Sequence, residues 1–256
     1  MIFDNTRRLE PEVMASPEDV AAYDRLTVKY LRILHYGFVE TIINSAPESG
    51  RFLEIGCGTG RISLGLARFT RDIHITAVDR SDTMLSVARG IAARNNMARR
   101  IMFRHADSRA LPYGDHSFDA VFSHNMLHHL EDPMPVLREM KRVLKPSGAF
   151  LVRDLIRQSP VRAWTHTWGF GLTYSRLMKN EYYSSMRAAY SKEEFMEMID
   201  RLGLSGCRYR RQFITHHGME RSAANSRRDR VVIPSSRFVS WLKRRYSSRP
   251  DTDALK

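Results

Sequence analysis

Apolar positions between residues 18 and 46 fall three and four apart: Val20, Tyr23, Leu26, Tyr30, Leu31, Ile33, Leu34, Phe38 and Ile42. That spacing predicts a long helical region with one buried face, closed by Pro47 and Gly50. From residue 51 the rhythm changes. Short apolar runs at 51–56, 73–78, 101–105, 118–123 and 148–153 read as strands, and the longer stretches 60–70, 81–96 and 132–145 between them read as helices. The last stretch has Pro133 near its start and Lys145, Pro146 and Gly148 at and beyond its end, where helix-stop signals belong. Such alternation predicts an α/β fold, a doubly wound and mostly parallel sheet with helices on both faces. Ligands of these sheets sit at the carboxyl ends of the strands, so chemistry is expected there.

After residue 154 the alternation weakens. Residues 160–190 are aromatic-rich, with Trp164, Trp168, Phe170, Tyr174, Tyr182, Tyr183 and Tyr190, and read as helical. Ser191 and Glu194 form a capping-box signature for a helix that Gly203 ends, and residues 207–213 read as a further strand. The expected organisation is an N-terminal helical region over 1–48, a ligand-binding domain over 49–215 and a basic extension over 216–256.

Composition narrows the class. The chain has 256 residues, 43% hydrophobic and 27% charged, as soluble globular proteins do. No apolar run approaches the ~20 residues that span a bilayer. Residues 1–14 carry no apolar stretch of a secretory leader, and two cysteines, Cys57 and Cys207, make no disulfide framework, so a reducing, cytoplasmic compartment is expected. Net charge is +13, but residues 1–150 hold 20 basic against 18 acidic groups while residues 151–256 hold 21 against 10. The second half therefore predicts an anionic partner or a basic tail.

The most specific segment is FLEIGCGTG, residues 52–60, which follows a strand and opens a helix. Gly56, Gly58 and Gly60, with Cys57 and Thr59 between them, let backbone approach a ligand without a Cβ in the way. Their spacing departs from the dinucleotide G-x-G-x-x-G, and Glu54 two residues earlier would repel a phosphate but suit an ammonium or sulfonium. Asp79 ends the second strand, placed for the two hydroxyls of a ribose. Asp107 ends the third, where a carboxylate accepts from an exocyclic amine. Read singly, both aspartates also suit helix N-caps. Together they describe a site for a cationic nucleoside.

The runs LEIGCGTG, VDRSDTML, HADSRALPYGDHSFD, FSHNMLHHLEDP and LREMKRVLKPSGAFLVRD, within Phe52 to about Asp154, resemble the class I S-adenosylmethionine-dependent methyltransferases. The likeness is to the small-molecule branch (methyltransferase type 11) that includes ubiquinone- and menaquinone-biosynthesis enzymes. It implies a seven-stranded Rossmann-like sheet and S-adenosyl-L-methionine as cofactor, with S-adenosyl-L-homocysteine as product. By this resemblance the glycine loop cradles the methionine end, Asp79 takes the ribose, Arg80 and Met84 lie against adenine, and Asp107 with Ser108 holds the adenine amine. His124 and Asn125, at the end of the fourth strand, complete the expected cofactor contacts. Arg80 departs from the apolar residue or serine more usual there. The aromatic segment 158–190 is expected to lie as a lid over the acceptor.

His128 and His129 are the candidate general bases, of which only one can face the pocket; His166, His216 and His217 are weaker candidates. No metal is expected. The Asn/Asp-Pro-Pro-Tyr/Phe/Trp tetrad of amino-nitrogen methyltransferases is absent, as is a cysteine after the fourth or fifth strand, which favours an oxygen, carbon or nitrogen acceptor on a small molecule, expected to be apolar or aromatic. Two rivals stand beside this reading: an RNA methyltransferase that uses the basic half, and a cofactor-binding regulatory protein without catalysis. Phe238, Trp241, Leu242 and Tyr246 share a helical spacing beside Lys243, Arg244 and Arg245, as in a helix on an anionic membrane surface. Arg208, Arg210, Arg211, Arg227, Arg228 and Arg230 are the alternative nucleic-acid contacts.

Overall fold

The computed structural model describes residues 6–10, 17–28, 32–171, 174, 176–212, 215–227 and 229–233. The expected helical region forms two helices, α1 (Pro17–Leu26) and α2 (Arg32–Ser45). The alternating part follows as β1 (Ser49–Ile55), α3 (Arg61–Phe69), β2 (Asp72–Asp79), α4 (Asp82–Arg94), β3 (Ile101–His105), β4 (Phe118–His124), α5 (Met134–Val143) and β5 (Leu144–Leu155). Then come α6 (Pro160–Phe170), α7 (Arg176–Ala188), α8 (Lys192–Leu202), β6 (Arg208–Gln212) and β7 (His216–Arg221). Among the described residues no helix is long and apolar enough to cross a membrane.

The sheet order is β3-β2-β1-β4-β5-β7-β6, with β1 to β5 parallel and β7 antiparallel to both its neighbours. Strand order reverses between β1 and β4, which opens a crevice above their carboxyl ends. Two strand limits differ from expectation. β5 begins at Leu144 because Lys145–Gly148 bulge out, the register jumping from Phe118↔Leu144 to Ala120↔Ala149. The sheet also runs on through β7 to Arg221, past the expected limit at residue 215. His216–Met219 are all buried, so β7 lacks the alternation that marks a half-exposed strand.

Each sheet face carries its own core. On one, α2, α3 and α4 set Phe38, Ile42, Leu66 and Leu85 against Phe52, Ile75 and Phe122. On the other, α5 and α8 set Leu137, Met140 and Phe195 against Leu53, Val78 and Phe150. Burial of Phe38 and Phe122, whose rings meet edge-on at 6.4 Å, is worth about 1.5–3 kcal/mol each and fixes α2 across the sheet. A third cluster of Leu155, Ala163, Met186 and Ala189 joins α6 and α7 to the carboxyl end of β5. Ala223, Val231 and Ile233 lie against α2, where the Ala223 amide donates to Ser45 O and the Ile233 amide to Glu40 Oε2. The tail expected to form the basic helix, 236–248, lies outside the described residues.

The capping box is present: Ser191 Oγ accepts from the Glu194 amide and Glu194 Oε2 accepts from the Ser191 amide. Ser191→Ala removes one of these and should cost about 1 kcal/mol, read as a lower urea midpoint at unchanged slope.

Candidate active site

β1 leads into the glycine loop, and the amides of Gly56 and Cys57 both donate to Val78 O, at 2.9 and 3.0 Å, which stitches the loop to β2. Gly56, Gly58 and Gly60 all have left-handed backbone, with φ of 67°, 51° and 73°. Their surroundings differ. A Cβ on Gly56 would stand 2.4 Å from Met126 Cγ, and one on Gly60 2.7 Å from Phe103 Cε1. A Cβ on Gly58 would meet nothing within 4 Å, so the crown of the loop faces open space. Backbone bare on one side and pinned on the other is what a close-lying ligand requires.

Asp79 stands at the tip of β2 beside that crown. Its Oδ2 accepts from the Gly58 amide at 2.8 Å and its Oδ1 from the Ser81 amide at 2.9 Å. A carboxylate offers about four lone-pair sites, so two remain for hydroxyls. Ser81 caps α4 through the Met84 amide, which sets Met84 in the first turn beside exposed Arg80. Asp107 is exposed and chelated by Arg109, with Nε–Oδ1 3.0 Å and Nη2–Oδ2 2.8 Å; those bonds lower its pKa to about 2. Ser108 beside it is half-buried.

Glu54 does not face the crown as a free charge. It is buried, accepts from the Ser63 amide at 3.1 Å and from the Ser63 hydroxyl, and burial pushes its pKa up to about 8. It anchors the start of α3, so the acceptor groups left for a cation are Asp79 and Asn125. Asn125 holds a left-handed φ of 52° at the end of β4, and its Oδ1 is buried without a hydrogen-bond partner. The bare crown, the Asp79 carboxylate and this orphaned oxygen fit the methionine and ribose parts of S-adenosylmethionine. Thr59 and Cys57 are buried in the loop, and burial raises the Cys57 thiol well above its ordinary pKa, which leaves it unreactive.

Beyond Met126 the chain forms a 3-10 turn, Leu127–His129, and places two histidines unequally. His128 is buried. Its Nδ1 lies 2.5 Å from Asp154 Oδ1 at the end of β5, and its amide donates to Asp154 Oδ2 at 3.1 Å. The Leu155 amide adds a third bond to the same carboxylate at 2.7 Å. Burial opposes charge on His128, but the Asp154 charge, their hydrogen bond and Glu10 outweigh it and raise the pKa. For Asp154 burial is likewise outweighed, chiefly by the His128 charge and hydrogen bond, and the pKa falls to about 2. His129 is half-exposed, its ring 4.1 Å from that of His128.

A strap of residues 6–10 closes over this pair. Arg7 donates to the carbonyls of His128, Leu130 and Ala188 and lies 3.9 Å over the Tyr190 ring, while Ser185 of α7 donates to Glu10 at 2.9 Å. Glu10 Oε2 stands 3.7 Å from His128 Nε2 and 3.4 Å from His129 Nδ1. Ligand-capable atoms of these three residues lie within 4.8 Å of one another, a grouping that could hold a metal ion.

His124 turns to the opposite side of β4, toward α2 and away from the loop. Its ring lies 5.3 Å from that of His35 and 5.1 Å from that of Phe38, and Arg153 Nη2 donates to its Nε2 at 2.5 Å. His216 joins this group at 6.1 Å from His124, whereas His217 packs on Phe195 across the sheet. His166 lies apart on α6, 3.3 Å from the Tyr182 hydroxyl. The structure thus ties Gly58 to Asp79, places Asn125 at the end of β4 beside β1 with His128 in the turn that follows, and sets His124 toward α2.

Residues 53–152 match the family described as methyltransferase domain. Over 106 residues the chain is 35% identical to 27-O-demethylrifamycin SV methyltransferase of Amycolatopsis mediterranei, covering 41% of this chain and 39% of that protein. It is 40% identical over 108 residues to demethylmenaquinone methyltransferase of Clavibacter sepedonicus, covering 42% of each. The chain thus matches about two fifths of the length of these relatives. The plantazolicin methyltransferase BpumL, solved with S-adenosyl-homocysteine, shares the fold with a TM-score of 0.66 at 13% identity, over 82% of this chain and 91% of that one. Residues 53–152 thus resemble a methyltransferase domain, on a sheet that shares the fold of a methyltransferase solved with S-adenosyl-homocysteine.

Asp154, Glu10, Arg7 and Arg153 were not singled out by sequence reasoning. Asp154 had the signal that found Asp79, a carboxylate at a strand end, and Arg153 a charge inside an apolar run. If Asp79 holds the ribose, Asp79→Ala should weaken S-adenosyl-homocysteine binding by about 1–3 kcal/mol in calorimetry. Unchanged affinity would remove that role.

Proposed function

We propose that this chain transfers the methyl group of S-adenosylmethionine to an oxygen of a small, apolar or aromatic acceptor, with His128 as general base. The observation that carries this is the His128–Asp154 pair, set two residues beyond Met126, the side chain that packs on Gly56. S-adenosylmethionine, when bound, supplies a methyl group on a good leaving group. What the protein adds is alignment of the acceptor and removal of its proton. Asp154 accepts a hydrogen bond from Nδ1–H, so neutral His128 keeps its Nε2 lone pair for the proton of an acceptor hydroxyl, on the side where Glu10 Oε2 stands 3.7 Å away. As that nitrogen takes the proton, the fixed Asp154 charge stabilises the imidazolium. Asp79, Met84 and Asn125 hold the cofactor in this reading, with Gly56, Gly58 and Gly60 around its methionine end. Arg80, Asp107 and Ser108 border the adenine. The 35% identity to a relative named for an oxygen-demethylated substrate supports oxygen as the acceptor atom. The α6–α7 pair, packed on the carboxyl end of β5, supports a cover over the acceptor.

The test is methyl transfer from labelled cofactor to a panel of phenols, naphthols and hydroxyquinones, with the product position read by NMR. Methylation on carbon or nitrogen would overturn the oxygen assignment. His128→Gln should lower the rate by roughly 10²-fold or more while S-adenosyl-homocysteine affinity stays within a few-fold. A full rate in that variant would remove the base, and metal-restorable inhibition by EDTA would assign His128 to a metal instead.

The pH dependence follows from the raised pKa. The base form is needed, so kcat/KM should climb through a pKa above 6.5. Asp154→Asn removes the charge that favours imidazolium, so this limb should move to lower pH as the maximum falls. A limb that stays in place would contradict the pairing.

A further inference from the structure

On the α2 side of the same strand ends lies a buried cation for which no described residue supplies a counter-ion. Arg153 is 1% exposed. Its Nη1 reaches Gln212 Oε1 at 3.4 Å, and its Nη2 donates to Leu34 O and to His124 Nε2, each at 2.5 Å. Its Nε is buried without a partner, and the guanidinium lies 4.7 Å over the Phe38 ring. No carboxylate among the described residues pairs with it. Burial, unopposed by any neighbouring charge, lowers its pKa to about 9. The side chains around it are imidazoles that the same environment keeps neutral: burial, then the Arg153 charge, lowers His35 to about 3 and holds His124 and His216 well below 6.5. His216 Nδ1 lies 2.9 Å from Thr215 Oγ1, and its Nε2 is a second buried atom without a partner.

A buried guanidinium normally has its cost offset by a carboxylate; here the described residues supply only neutral acceptors. Neighbouring Asp154 is no substitute, since it points to the opposite face and is committed to His128. Two unsatisfied nitrogens and a positive charge that no described residue compensates, at the carboxyl ends of β4 and β5 and the amino end of the adjoining β7, describe a receptor for an anion.

We propose that Arg153, with His124 and His216, binds a carboxylate or comparable oxyanion on the methyl acceptor, so that the acceptor class is acidic. This rests on reading the strand ends as the acceptor site. A neutral acceptor would leave the charge unpaired, so the site discriminates for the acid and against its amide or ester. The unpartnered Arg153 Nε–H offers a carboxylate a directed, charge-assisted hydrogen bond, and Phe38 supplies an apolar wall for the ring or chain that bears it.

The experiment uses the full chain saturated with S-adenosyl-homocysteine and follows its melting temperature against sodium benzoate, with benzamide and with sodium chloride at matched ionic strength. Benzoate should raise the melting temperature in a saturable way, and the two controls should not. Arg153→Met, close in volume, should bind benzoate roughly 10- to 100-fold more weakly, with S-adenosyl-homocysteine affinity unchanged. Arg153→Lys, which keeps the charge but not the Nε–H, should fall between them. Equal effects of benzoate and benzamide on the unaltered protein would overturn the proposal without any variant. Weaker S-adenosyl-homocysteine binding in Arg153→Met with no response to benzoate would also overturn it, assigning Arg153 to the carboxylate of the cofactor. Absence of S-adenosyl-homocysteine binding in the unaltered protein would instead sink the methyl-transfer reading.

Discussion

The hydrogen bond from the Gly58 amide to the Asp79 carboxylate joins the glycine loop after β1 to the tip of β2 at 2.8 Å. Parallel strands all finish on one edge, and each exit must leave no peptide group buried and unpaired. At β1 the chain meets this by three left-handed glycines, two amides tied to Val78 O and one tied to Asp79. The carboxylate is thereby held at the rim of an open space rather than folded into its own helix cap. The site depends on that restraint: the backbone that must approach a ligand and the charge that must receive it are the same bonded unit.

The ends of β4 and β5 solve the same problem with consecutive residues of opposite charge. Asp154 gathers three donors and directs His128. Arg153, one residue earlier, points to the other face and meets acceptors without charge. One strand therefore delivers an anion to a base on one side and a cation to a neutral pocket on the other, a few ångströms apart. The difference is in desolvation: Asp154 is repaid inside the protein and Arg153 is not. The strap at 6–10 and helix α7 cover the Asp154–His128 side, where burial strengthens that pair.

The fold was largely legible because its signals are local. The runs at 73–78 and 101–105 lie within β2 and β3, and the Ser191–Glu194 cap is the one the spacing predicts. β7 was hidden because His216–Met219, buried on both faces, carry no period. The cofactor loop was legible in Gly56, Gly58, Gly60 and Asp79, where residue type alone dictates backbone freedom or charge. The hydrogen bonds of Glu54 to Ser63, nine residues along, were not legible, since they turn on burial. His124 and His128 look alike in sequence, yet strand and 3-10 turn send them to opposite sides. Arg153 and Glu10 depend on long-range packing that no local pattern reports.

The central claim is that the strand ends receive a cationic sulfur nucleoside and not a phosphate-bearing nucleotide. Calorimetric titration of the full chain with S-adenosylmethionine, ATP and NAD tests it most directly. Saturable one-to-one binding of S-adenosylmethionine, with no heat from the two phosphates, is the predicted result. Binding of NAD or ATP with indifference to S-adenosylmethionine would contradict the account.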